Sequence, residues 1–148
     1  MRAIERAAHR AMLVELQANG YPYLRLPHIA LLAHVTNEGR RLTEFAELMQ
    51  VTKSAASQVV TFLVSKGLLE RVPDPSDGRA SLIRATPASM PGFRIARQRY
   101  AEIEDEWTAV LGPRRLAELV RALRELEAWA SAEHEPPKRR RRRRRTSR

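Results

Sequence analysis

Between Thr43 and Ala85 the hydrophobic period changes from helical to alternating, and no other feature narrows the possible folds so far. A short apolar run, Phe45, Ala46, Leu48 and Met49, stops at Gln50-Val51-Thr52 and resumes as Ala56, Val59, Val60 and Leu63. Thr43 and Thr52 are N-cap residue types, and Gly67 suits a helix C-terminus, so two short helices are predicted with a tight turn between them. Beyond Gly67, Leu69 and Val72 flank Glu70 and Arg71, and Ser81 to Ala85 alternates around Leu82 and Ile83. Pro73 to Gly78 lies between them as a turn, so a two-stranded hairpin with a polar, basic tip is expected.

The flanks read as helix. Residues 2–18 place Ile4, Ala8, Ala11 and Ala18 on one stripe, widened by Leu13, Val14 and Leu16, and stop at Asn19-Gly20. A loop from Tyr21-Pro22 leads to Pro27, which suits the first turn of a second helix. That helix carries Ile29, Leu31, Leu32 and Val35 and ends at Asn37-Glu38-Gly39. Thr86-Pro87 signals another start that Pro91-Gly92 interrupts, so a long helix is predicted over about 93–110. Its seam is Ala96, Tyr100, Ile103, Trp107 and Val110, and after Gly112-Pro113 a last helix repeats it with Leu116, Leu119, Leu123, Leu126 and Ala130. Two long seams exceed what one small core can bury. A partner subunit follows, most simply in a twofold homodimer, with packing of the two helices on each other as the alternative. The expected fold class is mainly α with a small β-hairpin. A winged helix-turn-helix over about 28–86 sits inside a single domain, 1–132, whose dimerisation helices are about 2–18 and 93–132.

Charge is distributed unevenly. The net charge is +10, yet Lys138, the run Arg139 to Arg145 and Arg148 supply nine cations with no acid among residues 136–148. Removing them leaves +1 for residues 1–135. The Arg-rich tail, 133–148, is expected to stay disordered, because like charges repel and nothing is available to bury. It calls for a polyanionic partner, while the rest of the chain is nearly neutral.

The stretch Arg41 to Thr86 resembles the MarR family of bacterial transcription regulators. Leu42-Thr43 opens the short helix as in that family, and Val51-Thr52-Lys53-Ser54 opens the second. Gly67-Leu68-Leu69 enters the first strand, Asp74-Pro75-Ser76-Asp77-Gly78-Arg79 forms the wing, and Ala85-Thr86 leaves it. There are departures. Gly78 stands where many members have a second arginine, Ala85 replaces a leucine, and Phe62 falls where members usually carry a solvent-facing charge. The tail is not part of the family pattern. The resemblance implies a homodimeric repressor that binds a palindromic operator in double-stranded DNA and is released by a small aromatic or anionic effector. It also implies a cytoplasmic bacterial protein, associated with the nucleoid when bound to DNA. The absence of cysteine excludes the family's peroxide-sensing chemistry, as well as disulfides and thiolate zinc sites.

A recognition helix enters the major groove with its N-terminal half. Thr52, Lys53, Ser54, Ala55, Ser57, Gln58 and Thr61 lie off the apolar stripe and are the candidate contacts. Hydroxyls bond phosphates or base edges, alanine meets a thymine methyl, and glutamine pairs with adenine. Asp77 and Arg79 are the wing candidates, and the resemblance sends Arg79 to the minor groove. In the tail, Lys138, Arg139, Arg140, Arg141, Arg142, Arg143, Arg144 and Arg145 offer affinity through counterion release whatever the sequence. A rival reading makes that tail the main device of an architectural DNA-binding protein. For an effector, Tyr21, Tyr23, Arg25 and His28 form a local aromatic and basic cluster that Tyr100 and Trp107 face from the long helix, with packing roles as the alternative.

Other chemistries find no footing in the sequence. His9, His28, His34 and His134 form no pair at metal-ligand spacing, so no metal or other cofactor is expected. No nucleophile elbow, phosphate-cradling glycine loop or catalytic acid pair is present, and no enzyme is expected. No apolar run is long enough to span a membrane, and no signal-peptide core follows the charged N-terminus.

Overall fold

A computed structural model of the chain describes residues 2–133. His134 and the tail candidates Lys138 and Arg139 to Arg145 lie outside the described residues. In order, the elements are α1 (Arg2–Ala18), α2 (Leu26–Leu32), β1 (Arg40–Arg41), α3 (Leu42–Leu48), α4 (Lys53–Ser65), β2 (Leu69–Asp74) and β3 (Asp77–Ala85). A 3-10 turn at Pro87–Ser89, α5 (Met90–Leu111) and α6 (Pro113–Glu133) follow. The chain divides into two compact units, Met1–Glu104 and Asp105–Arg148.

The core of the first unit is aliphatic around a single buried phenylalanine. Met12 and Leu16 of α1 join Leu24, Ile29 and Leu31, Phe45 of α3, Val60 and Leu63 of α4, Leu68, Leu69 and Ile83. Each such side chain contributes about 1.5–3 kcal/mol by leaving water. The face α1 buries is therefore centred on Met12 and Leu16 rather than on the stripe read from Ile4; Ile4 and Val14 stand 56% and 66% exposed.

Three other boundaries differ from expectation. The second helix ends at Leu32, because the chain tightens there: His34 N–H donates to Leu31 and Val35 N–H to Leu32. The cap of α3 is Arg41, not Thr43; the Glu44 carboxylate accepts the Arg41 N–H at 2.6 Å. And α5 starts at Met90, since Pro91 falls in its first turn, where a missing N–H costs nothing.

The sheet has three antiparallel strands in the order β1-β3-β2, one more than the predicted hairpin. Arg40 pairs with Ile83 and Arg41 with Leu82. Two residues cannot show an alternation, so β1 is silent in the sequence. Gly39 (φ +84°) turns the chain into it, and a Cβ there would come within 3.1 Å of Leu82 Cβ and 3.2 Å of the Ile83 carbonyl. In β2 and β3, Leu69 faces Ala85 and Val72 faces Leu82, and the strands reach Asp74 and Asp77, further into the turn than Pro73–Gly78 suggested.

The second unit holds the end of α5 and all of α6. Leu116 is buried, whereas Val110 is 81% exposed, Leu119 43%, and Leu126 and Trp129 59% each.

Candidate nucleic-acid interface

Two left-handed residues set α4 in place. The turn after α3 closes with Gln50 N–H to Glu47 and Val51 N–H to Ala46, both 3.0 Å, and Gln50 carries φ +54°. At the far end Gly67, φ +70°, allows the matching closure of Leu68 N–H on Leu63 at 3.0 Å. The N-cap is Thr52, whose Oγ accepts the Ala55 N–H at 3.1 Å. Ala56, Val60 and Leu63 are buried on one face. That pins the rotation of the helix, so Thr52, Lys53, Ser54, Gln58 and Thr61 stand exposed, with Ala55 and Ser57 half-buried beside them. The exposed face is polar, short in side chain at its start, and begins at a helix N-terminus, where free N–H groups favour phosphate.

The wing is held by a side-chain network that no local motif predicts. Arg41 in β1 donates through Nε to Asp74 Oδ2 at 2.6 Å and pairs with the same carboxylate through Nη2. The other Asp74 oxygen accepts the Ser76 N–H at 2.8 Å and the Ser76 hydroxyl at 2.7 Å. These Ser76 bonds, and then Arg41, hold the buried Asp74 carboxyl below its ordinary pKa, while the Asp74 bond and charge raise that of Arg41. Asp77 lies 3.7 Å from Arg41 Nη1 and accepts the Arg79 N–H at 3.2 Å, so it shapes the turn rather than pairing with the Arg79 guanidinium. Arg79 itself is exposed at the tip. Behind the tip, Arg84 and Glu70 pair across the strands at 2.8 Å. Arg41 is the residue that sequence reasoning missed; 33 positions separate it from Asp74.

A polar helix face beside a braced, arginine-tipped wing is a layout that can be compared with known proteins. The MarR family model matches residues 24–80. The chain carries a MarR-family winged helix-turn-helix. BldR, a transcriptional regulator from Sulfolobus solfataricus, superposes with a TM-score of 0.66 at 22% identity, covering 86% of this chain and 88% of that one. PcaV from Streptomyces coelicolor, solved with its natural ligand, gives 0.60 at 26% identity over 87% and 89%. MarR from E. coli in its apo form gives 0.62 at 20% over 84% and 92%. No curated protein sequence matches the chain. MarR-family proteins are DNA-binding transcription regulators rather than enzymes, and residues 24–80 of this chain match their model.

In this chain the expected effector residues fall in different places. A cavity of about 480 Å³ opens in the first unit, lined among others by Met12, Tyr21, Phe93, Arg97 and Tyr100. Of the six candidates Tyr21 and Tyr100 line it, and the other four do not. Arg25 folds back on its own backbone, Nη1 donating to the carbonyls of Pro22 at 2.8 Å and Leu24 at 2.7 Å. Tyr23 and His28 turn to Phe62 on α4, with ring centroids 6.2 and 4.3 Å away. Phe62, which departs from the family's usual charge, is thus half-buried under two aromatic rings. Trp107 belongs to the second unit and is 39% exposed. Tyr21, the first residue of that cluster, borders the cavity and meets Tyr23 edge to face. Among the described residues no group of histidines and carboxylates is arranged to hold a metal, and no helix is long and apolar enough to cross a membrane.

Proposed function

We propose that the protein is a homodimeric repressor whose two copies of α4 and the wing read a palindromic operator. The observation that carries this is the exposed Lys53, Ser54, Gln58 and Thr61 face set beside a wing braced by Arg41 and Asp74 with Arg79 at its tip. The unfilled apolar positions Val110, Leu119, Leu126 and Trp129 support dimerisation through the terminal helices. Residues 1–132 then act as one regulatory domain in the cytoplasm, bound to the nucleoid when on DNA. The Lys138 to Arg145 tail adds an electrostatic grip that is indifferent to sequence.

A small aromatic anion is the proposed effector. The cavity offers aromatic rings at Tyr21 and Tyr100 and a cation at Arg97, and PcaV, of similar fold, was solved with its natural ligand. The deciding experiment is selection of bound sequences from a random pool of duplex DNA. Enrichment of a twofold-symmetric sequence is expected. Uniform recovery, with affinity vanishing on removal of residues 136–148, would instead support the architectural alternative.

A further inference from the structure

One contact couples α2 to the reading head through a titratable ring. His28 lies parallel to Phe62 of α4, centroids 4.3 Å apart and planes 7° apart. Its Nδ1 accepts the Arg25 N–H at 3.0 Å, closing the first turn of α2. An imidazole nitrogen that accepts a hydrogen bond carries no proton, so this arrangement exists only for the neutral ring.

Two positive charges belong to this cluster, Arg25 acting on the ring itself and Lys66 on its aromatic neighbours. Arg25 faces it from its own segment. Lys66, at the end of α4, sets Nζ 5.6 Å from the Phe62 ring and 5.1 Å from that of Tyr23. The remaining titratable groups of the cluster are the phenols of Tyr23 and Tyr21, and burial pushes that of Tyr23 upward, away from neutral pH. Burial first, and Arg25 second, hold the pKa of His28 below its ordinary 6.5.

We propose that His28 is a positioning residue for the recognition helix, and that its protonation, by removing the acceptor of the Arg25 N–H, undoes the α2 cap, shifts the ring from its place over Phe62 and so weakens DNA binding in acid. Phe62 lies one position past Thr61 and one helical turn past Gln58, so a shift of its ring moves the groove-facing side chains. The proposal rests on α4 being the DNA-contacting helix.

The test uses the full chain and three variants. His28→Asn keeps an acceptor oxygen near the Nδ1 position but cannot titrate, Phe62→Leu keeps an apolar side chain without the stack, and Gln58→Ala reports on base contact. Magnetic resonance titration should show the amides of Phe62 to Lys66 moving with the His28 midpoint in the wild type and standing still in His28→Asn. On selected DNA, wild-type affinity relative to His28→Asn should fall on acidification, by up to about tenfold for each unit separating the docked and released ring. Phe62→Leu should lose this pH dependence too. Amides of α4 that ignore the His28 midpoint overturn the coupling, and so does an affinity ratio flat in pH while Gln58→Ala remains costly. Amides that follow it, with affinity indifferent to both pH and Gln58→Ala, overturn instead the assignment of α4 to DNA.

Discussion

Helices α4 and α6 carry apolar residues at the same kind of spacing and use them in opposite ways. In α4, Ala56, Val60 and Leu63 are sealed into the core, and what remains outside is polar. Among the described residues of α6 only Leu116 is buried; Leu119, Leu126 and Trp129 stay in water. A seam by itself therefore states that a helix has a partner. Whether the partner is within the chain depends on what else the fold brings there. The first helix is fixed so that its other face is free to bind, and the second is left with an apolar face that a second subunit can cover.

The sharpest break of this contrast is in the core. Phe45→Ala should cost about 3–5 kcal/mol, because no neighbour can fill the space of a fully buried ring, and chemical denaturation would show it. Self-association, seen by sedimentation, should survive in the fraction that stays folded. Leu119→Glu with Leu123→Glu should do the reverse. Burying two charges in a seam costs several kcal/mol of assembly, so the double variant should sediment as a monomer with little change in unfolding midpoint. An intact dimer would remove α6 from the interface and leave the difference between the helices unexplained.

Smaller effects sharpen the picture of α4. Gln58→Ala should lose about 1–3 kcal/mol on the selected operator and almost nothing on scrambled DNA, measured by titration at fixed salt. Equal losses on both would mean that Gln58 touches phosphate only. The smallest effect expected is a gain. Gln50 sits at φ +54°, where Gly67 does the same job at φ +70° without a side chain. Gln50→Gly should raise stability by about 0.5–1 kcal/mol by relieving the left-handed strain, readable as a higher melting temperature.

The wing and the α2–α4 contact also differ in their response to acid. Asp74 has a folded pKa below its ordinary 3.8, so its contribution is complete above 3.8 and is lost only as pH falls through the lower folded value. His28 is likewise lowered, but from 6.5, so its contribution is present above 6.5 and decays as pH falls toward the folded value. Mild acid should thus disturb the amides of α2 and α4 while those of β2 and β3 stay unmoved. Simultaneous loss of both would make the two regions one cooperative unit.

Much of this protein was legible in its sequence because the signals are local. Thr52 caps α4 through a bond three residues away, Gly67 stops it, and the shift from Ala56-Val60-Leu63 to the alternating strands is complete within thirty residues or so. Those features, with the Asp74 to Arg79 turn, are enough to predict a winged helix-turn-helix and to point to the polar face of α4. Tertiary structure decided what depends on residues meeting across the chain. Strand β1 exists only because β3 offers it partners, and Arg41 braces the wing only because Asp74 arrives beside it. The face of α1 was chosen by its neighbours, which close over Met12 and Leu16 and leave Ile4 and Val14 outside. The aromatic cluster at Tyr23 and His28 could be read from composition as a pocket, but the pairing that placed it against Phe62 is a matter of shape. Local sequence fixes backbone dihedrals and caps within a few residues, whereas which side chains touch is settled only when the whole core packs.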